Sequence, residues 1–226
     1  MRAVVLGARG GVGRHVVARA AGWNVVAVAR DGAAIADKAP TESAPNESAP
    51  NEGAGSLQGR DADVRDARGM VEVLEGADAM LWCVGVAARS GPDVGRMALP
   101  VVVEAARRHG LERLVSVSGA AVTVPGDHKS VGAPGISRLT RLLAPGLVAD
   151  KQAGHDVLAA SDLAWTVVRP PRLSETAGTG RWRLDEMDPG LSATPVAKVD
   201  VARAMVDLAS NGQWLRRSPF LHAGKG

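Results

Sequence analysis

GARGGVGRHVV, residues 7–17, follows the apolar run 3–6 and places four glycines within seven residues. The apolar run predicts a buried strand, and the residues after the glycines predict a helix. A turn that runs straight from a strand into a helix leaves the first helical N–H groups unpaired, and these groups and the helix dipole attract a phosphate. Glycines let the backbone approach that phosphate closely. We therefore predict a phosphate-binding turn.

Two glycine spacings fit this turn. Gly7, Gly10 and Gly13 match G-x-x-G-x-x-G, whereas Gly11 in place of Gly10 gives G-x-x-x-G-x-G. Neither is the G-x-G-x-x-G of the best-known dinucleotide fingerprint, and a purely structural turn remains an alternative. The position of the turn, at the start of an alternating strand and helix pattern, favours dinucleotide binding. The predicted cofactor-binding residues of the turn are Gly7, Ala8, Arg9, Gly10, Gly11, Val12 and Gly13.

Strand-length apolar runs alternate with helix-length segments along the chain. The predicted strands are residues 3–6, 25–29, 79–84, 114–117 and 165–168, and the predicted helices are residues 13–21, 67–75, 94–109 and 150–160. Short, nearly continuous apolar strands between helices indicate a parallel sheet with helices on both faces. We expect a single α/β domain over residues 1–226, a doubly wound parallel sheet of the Rossmann type. Pro100 lies inside the third helical segment and predicts a kink or a late helix start there.

One segment does not follow this alternation. Residues 40–52 contain ESAPN twice in tandem and have no large apolar side chain. Such a segment cannot offset the entropy lost on ordering, so we predict a flexible, dispensable insertion at 40–55. We also expect substrate-side loops at 119–149 and 171–195, because these segments follow the carboxyl ends of predicted strands.

The composition argues against several classes of protein. The net charge is only +3 and aromatic residues make up 3%, so no stacking surface for a nucleic-acid partner is visible. Cys83 is the only cysteine, which excludes an internal disulfide. The sequence shows no signal-peptide pattern and no run of about 18 apolar residues, so we expect a cytoplasmic protein without a membrane partner. The histidines show no metal-ligand spacing, and no metal site is predicted.

The end of the second predicted strand indicates the choice of cofactor. About twenty residues after such a glycine turn, a carboxylate selects NAD, whereas an arginine accepts the 2′-phosphate of NADP. Arg30 stands at this position, and Arg9 in the turn is a second candidate partner of the phosphate. We therefore predict NADP (NADPH). The adjacent Asp31 weakens this prediction, and a solvated strand end remains the alternative for Arg30.

Six segments together resemble one protein family. They are GARGGVG (7–13), ADVRDA (62–67), MLWCVG (80–85), LERLVSVSGA (111–120), LAWTVVRPPRL (163–173) and KVDVARAMVDLA (198–209). In this order and spacing they resemble the atypical short-chain dehydrogenase/reductase superfamily, in the group of NAD(P)H-binding proteins related to biliverdin-IXβ/flavin reductase and NmrA-like proteins. The resemblance covers nearly the whole chain and implies a Rossmann-type NAD(P)-binding fold.

The resemblance also implies cofactor contacts outside the glycine turn. These are Asp63 and Val64 at the adenine, Cys83, Val84 and Gly85 along the cofactor, Ser116 and Ser118 at the end of the strand beneath the nicotinamide, and Pro170. Structural alternatives remain open for three residues of these segments. Asp63 would cap a turn, Ser118 would bond the backbone, and Asp200 would cap its helix.

The chain contains no tyrosine. Classical members of the superfamily use a tyrosine, acidified by a lysine four residues later, to protonate a substrate carbonyl, and this sequence departs from that pattern. In the corresponding region Lys151 and His155 lie one turn apart on a predicted helix. We predict that Lys151 orients cofactor or substrate and that His155 is a candidate proton donor near neutral pH. A histidine bonded to a neighbouring residue is the favoured alternative for His155. The candidate catalytic residues are Ser118, Lys151 and His155.

The missing tyrosine restricts the function. A flavin, quinone or tetrapyrrole-like acceptor needs no side-chain acid, because its reduced ring delocalises charge and water completes protonation. The sequence favours an NADPH-dependent oxidoreductase that transfers hydride to a small planar acceptor, as a monomer or homodimer. A non-catalytic NADP-binding sensor of the NmrA-like type is the alternative, since the missing tyrosine fits both.

Overall fold

A computed structural model describes residues 1–32, 35, 55–85, 91–125, 127, 145–188, 190 and 193–224. Apart from Gly55, the predicted insertion at 40–55 lies outside the described residues. Most of 126–144, within the first predicted substrate-side loop, lies outside them as well.

The described residues form ten strands and five helices. In chain order these are β1 (Arg2–Leu6), α1 (Gly13–Arg19), β2 (Asn24–Ala29), β3 (Leu57–Asp61), α2 (Ala67–Leu74), β4 (Ala79–Trp82), α3 (Val94–Arg108), β5 (Arg113–Val117), α4 (Pro145–Ala160), β6 (Ala164–Val168), β7 (Leu173–Ser174), β8 (Trp182–Asp185), β9 (Val196–Ala197), α5 (Lys198–Asn211) and β10 (Phe220–Ala223).

Six strands build the central sheet. Their order is β3-β2-β1-β4-β5-β6, and every neighbouring pair is parallel. The strand order changes direction between β1 and β4, where Val4 pairs with Val26 on one side and Met80 on the other. At such a switch point the connections leave to opposite faces, so a crevice opens beyond the carboxyl ends of the strands. This is the predicted doubly wound Rossmann-type sheet in a single domain.

Helices cover both faces of the sheet. Ala3 and Val5 of β1 belong to the core shared with α1 and α5, whereas Val4 and Leu6 belong to the core shared with α2, α3 and α4. Successive strand residues point to opposite faces, so a strand covered on both faces is apolar at every position. This explains why the central strands are nearly continuous apolar runs in the sequence.

Several elements differ from the prediction. The edge strand β3 was not predicted, because its sequence LQGRD is mostly polar and its residues are exposed or half-buried. Helix α3 begins at Val94 and continues through Pro100, so the predicted late start at Pro100 is wrong. The proline lies on the exposed side of α3 and removes one intrahelical hydrogen bond without ending the helix. Helix α4 begins at Pro145, before the predicted start at 150.

Two small sheets flank the carboxyl edge. Strands β8 and β10 pair antiparallel, and β7 and β9 pair parallel with Leu173 opposite Val196 and Ser174 opposite Ala197. The region 171–195, predicted as a loop, therefore contains short strands that fasten it to the beginning of α5.

Candidate functional site

The glycine turn connects the end of β1 to the beginning of α1. Gly7 has a φ of +82°, and a Cβ there would lie 2.9 Å from the backbone of Cys83. A Cβ at Gly13 would run into the carbonyl oxygen of Gly7, and a Cβ at Gly10 would lie 3.0 Å from that oxygen. Side chains at these positions would open the turn. The spacing Gly7, Gly10, Gly13 is therefore the one that the packing of the turn requires.

The same turn carries backbone donors. Among the described residues, none accepts a hydrogen bond from the N–H of Gly11 or Val12. Val12 is also the N-cap of α1, which has no side-chain cap. Unpaired N–H groups where a strand turns into a helix suit phosphate oxygens. The turn therefore fits the diphosphate of a dinucleotide.

The carboxyl ends of β2 and β3 carry several arginines. Arg30 directly follows β2 and is exposed. Arg9 of the glycine turn forms an ion pair with Asp31. Asp63, beyond β3, accepts hydrogen bonds from Arg65, and these lower the pKa of the Asp63 carboxyl to about 2. The predicted adenosine end of the crevice is thus rich in guanidinium groups.

Val64 and the segment 83–85 provide apolar and main-chain surface. Val64 is buried against the core of α2 and α3. Cys83 is buried, and burial raises the pKa of its thiol to about 12, so the thiol stays protonated. Val84 is half-buried and Gly85 is exposed. Cys83 meets the glycine turn through its backbone, which lies against Gly7.

A small pocket lies between the end of β5 and α4. It encloses about 20 Å³, room for a water molecule, and its polar lining consists of Ser116, Ser118, Asp150, Lys151 and His155. The structure therefore brings the three candidate catalytic residues Ser118, Lys151 and His155 to one pocket. Within the described part of the chain, the buried hydroxyl of Ser118 has no hydrogen-bond partner.

Lys151 reaches from α4 to the end of β5. Its Nζ donates a hydrogen bond of 3.2 Å to the carbonyl oxygen of Val117. Burial lowers the pKa of the ammonium group, and the neighbouring Asp150 opposes this shift. The amine thus stands at the carboxyl edge of the sheet, one residue from Ser118.

His155 lies deeper than Lys151. Its side chain is buried, Nε2 is 2.9 Å from Oγ of Ser218, and the ring packs edge-on against Trp165 with centroids 5.5 Å apart. Burial is the main cause that lowers the pKa of the imidazole. These contacts match the alternative of a packed histidine bonded to a neighbour. A role for His155 as proton donor stays a prediction.

Asp150 was not among the predicted site residues. Its buried carboxylate accepts hydrogen bonds from the N–H groups of Gly95, at 3.1 Å, and Arg96, at 2.9 Å. It therefore caps the beginning of α3 from the adjacent helix α4 and fixes the position of Lys151. The sequence carries only a weak signal for this role, an aspartate that directly follows the apolar residues LVA at the start of a predicted helix.

Arg169 is a second residue that sequence reasoning missed. It follows β6, is 2% exposed, and forms two hydrogen bonds with the carboxylate of Asp127. It also donates to the carbonyl oxygens of Val122 and Ser218. The buried Pro170 comes next. An arginine directly after the buried strand residues TVV signals a buried charge that needs a partner.

Asp200 does not cap its helix. The N-cap of α5 is Ala197, which makes no side-chain hydrogen bond. The carboxylate of Asp200 instead accepts from the N–H groups of Thr179 and Gly180, at 2.9 and 3.0 Å, and pairs with Arg203. The capping interpretation is therefore wrong, and Asp200 holds the segment between β7 and β8 against α5.

The sequence matches a known family over most of its length. The family model described as NAD(P)H-binding matches residues 7–212, which include the glycine turn and every predicted site residue. The chain belongs to the NAD(P)H-binding family. No curated protein matches the sequence.

Solved structures share the fold of this family member over nearly the whole chain. The anaerobillin reductase ChuY from Escherichia coli has 20% sequence identity and a TM-score of 0.74, and the alignment covers 100% of this chain and 98% of that one. The oxidoreductase ylbE from Lactococcus lactis has 19% identity and a TM-score of 0.73, with 100% and 92% covered.

A third similar structure contains the expected cofactor. A short-chain dehydrogenase/reductase from Veillonella parvula in complex with NADP has 17% identity and a TM-score of 0.71, with 98% of this chain and 94% of that one covered. At these identities the likeness shows the fold of the family. Among the described residues, no helix is long and apolar enough to cross a membrane.

Proposed function

We propose that this member of the NAD(P)H-binding family is an NADPH-dependent reductase that transfers hydride to a small planar acceptor. The observation that carries the proposal is the pocket shared by Ser118 and Lys151 at the carboxyl end of β5, in a chain that contains no tyrosine. We assign the segments 119–149 and 171–195 to the acceptor side of the crevice, because they follow β5 and β6.

The proposed cofactor-binding residues contact different parts of the cofactor along the crevice. The N–H groups of Gly11 and Val12 bind the diphosphate, and the backbone of Cys83 to Gly85 lines the cofactor beyond it. When bound, NADPH supplies the hydride and carries the chemically difficult step. Arg30 binds the 2′-phosphate, and Arg9 assists because its pairing with Asp31 neutralises the carboxylate that would repel a phosphate.

Lys151 and Ser118 position the reacting groups. The ammonium of Lys151 is held by the carbonyl oxygen of Val117 and keeps other N–H donors for the cofactor ribose or the acceptor. The hydroxyl of Ser118 has a hydrogen to donate to an acceptor atom, since no described residue engages it. In this proposal the two donors at this edge orient a planar ring for hydride transfer.

The proton comes from water in this proposal. His155 is buried and bonded to Ser218, so it is badly placed to exchange protons with a bound acceptor. A flavin, a quinone or a tetrapyrrole-like molecule delocalises the charge that hydride transfer adds to the ring, and solvent completes its protonation. Because one structure of the same fold is an anaerobillin reductase, the acceptor panel should include tetrapyrroles.

A non-catalytic NADP sensor is the second candidate. Two observations favour it: Lys151 is already bonded to the backbone, and His155 is enclosed. Such a protein would bind NADPH tightly and leave it unoxidised.

Steady-state NADPH oxidation separates the two candidates. The purified protein should oxidise NADPH in the presence of riboflavin, menadione or biliverdin, with product formed in equal amount. Ser118→Ala and Lys151→Met should each lower kcat/KM about tenfold or more, because a lost positioning contact weakens binding of the transition state. Arg107→Ala, in an exposed ion pair near the end of α3, is the matched control. Saturable NADPH binding without oxidation by any acceptor would support the sensor.

A further inference from the structure

We propose that Lys198 and Arg14 bind the diphosphate of the cofactor and that Glu175 competes with the diphosphate for these two cations. This inference rests on the cofactor-binding part of the proposed function and does not depend on which acceptor is reduced. Neither cation belongs to the glycine turn itself, and the sequence pattern did not single them out.

The fold brings three distant segments together above the turn. Strands β7 and β9 pair in register up to Ser174 and Ala197, so the next residues, Glu175 and Lys198, stand side by side. Lys198 is also the first residue of α5. Helices α5 and α1 share one core on the same face of the sheet, which places the beginning of α5 next to the glycine turn.

The position of Gly11 shows which side of the turn Lys198 occupies. At Gly7, Gly10 and Gly13 an added Cβ would meet backbone atoms of the turn or of Cys83. At Gly11 the nearest atom is instead the ammonium nitrogen of Lys198, 2.7 Å from the position of a Cβ. The ammonium therefore lies directly against Gly11, whose N–H has no acceptor among the described residues.

Glu175 joins the two cations. One of its carboxylate oxygens pairs with Nζ of Lys198, and the other accepts a hydrogen bond of 3.0 Å from the guanidinium of Arg14. The carboxylate is well exposed, whereas the side chain of Lys198 is only 21% exposed. The cation is thus fixed against the protein, and the carboxylate is the partner that is free to leave.

The charges suit an exchange of anions. Each carboxylate oxygen of Glu175 contacts one of the two cations, and two oxygens of a phosphate can contact the same two cations in the same way. A diphosphate also brings a negative charge on each phosphate. Exposed ion pairs contribute little to stability, so displacement of Glu175 costs little free energy. The diphosphate would gain charge-assisted hydrogen bonds from both cations in addition to those of the turn.

The competition predicts opposite effects for two substitutions in the same ion pair. Lys198→Ala should raise the Kd of NADPH about tenfold, and Arg14→Ala should raise it less. Glu175→Gln should lower the Kd several-fold, because it keeps the size of the side chain and removes the competing charge. The diphosphate is common to both nicotinamide cofactors, so Lys198→Ala should weaken NADPH and NADH by the same factor.

Isothermal titration of the full chain with NADPH and with NADH tests the proposal. Arg107→Ala and Glu104→Gln, which break exposed ion pairs near the end of α3, should leave both Kd values unchanged. Kd values that do not change, or that change in the same direction in Lys198→Ala and Glu175→Gln, would overturn the proposal. A loss of affinity in Lys198→Ala that is confined to NADPH would also overturn it, because it would place Lys198 at the 2′-phosphate. A wild-type chain that binds neither cofactor would instead refute the cofactor assignment on which this inference rests.

Discussion

Asp127 and Arg169 form an ion pair that is buried on both sides. Their side chains are 7% and 2% exposed, and the two hydrogen bonds between guanidinium and carboxylate measure 2.8 and 2.5 Å. The guanidinium carbon also lies 3.9 Å from the centre of the Phe220 ring. The pair fastens the segment after β5 to the end of β6, on the side of the crevice that we propose for the acceptor.

Removing one partner of this pair should be costly. Asp127→Asn leaves the guanidinium of Arg169 buried without a countercharge, so the free energy of unfolding should fall by about 3 kcal/mol. Urea denaturation monitored by tryptophan fluorescence measures the change. Asp185→Asn removes a carboxylate from an exposed pair and should cost less than about 1 kcal/mol. Equal small losses in both variants would contradict the role assigned to the buried pair.

The glycine turn should not tolerate a methyl group at Gly13. In Gly13→Ala the new Cβ meets the carbonyl oxygen of Gly7, so the turn must open, with a loss of about 2 kcal/mol in unfolding free energy and weaker NADPH binding. Gly22→Ala is the control, because a Cβ at Gly22 meets nothing within 4 Å. A Gly13→Ala variant as stable as the control, with unchanged affinity, would show that the turn has room to relax.

Cofactor preference should follow the charge at Arg30. In Arg30→Glu the preference for NADPH over NADH should shrink or invert, which corresponds to a change of roughly 1–3 kcal/mol in the difference between the two binding free energies. The reason is that a carboxylate repels the 2′-phosphate and accepts a hydrogen bond from a ribose hydroxyl. Fluorescence titrations with both cofactors give the ratio. Arg68→Glu, at an exposed position on α2, should leave the ratio unchanged. An unaltered ratio in Arg30→Glu would refute the assignment.

His155 should make the protein less stable as the pH falls. Burial lowers the pKa of this imidazole below its ordinary value of 6.5, so just below that pH the unfolded chain binds a proton that the native state does not. Stability is therefore present above pH 6.5 and decreases as the pH falls towards the lowered pKa. Melting temperatures between about pH 5 and 8 should show this slope, and His155→Gln should flatten it.

His155→Gln should keep part of the pH dependence of stability and most of the activity. His15 and His222 also have pKa values lowered mainly by burial, so some slope should remain in His155→Gln. The variant should keep kcat/KM within a few-fold of the wild type with any acceptor that is turned over. A loss of about a hundredfold, together with a lost pH dependence of activity, would instead make His155 the proton donor.

Burial patterns explain which elements could be predicted from the sequence. The strands β1, β2, β4, β5 and β6 are covered by helices on both faces, so each is a nearly continuous apolar run of strand length. The edge strand β3 gives no such signal, because its residues are mostly polar and none of them is fully buried. The short strands β7 and β9 are set by their pairing with each other, and no periodicity is visible within two residues.

The glycine turn could also be predicted from the sequence, because close backbone packing restricts the residue types at Gly7, Gly10 and Gly13. The contacts made by charged side chains could not. Glu175 meets Arg14 across 161 positions of the chain, and Asp150 meets Gly95 across 55. A sequence pattern reports whether a residue is buried, since apolar burial depends on local periodicity. Which charges meet depends on the order of the strands and the faces of the helices, and only the tertiary structure decides that.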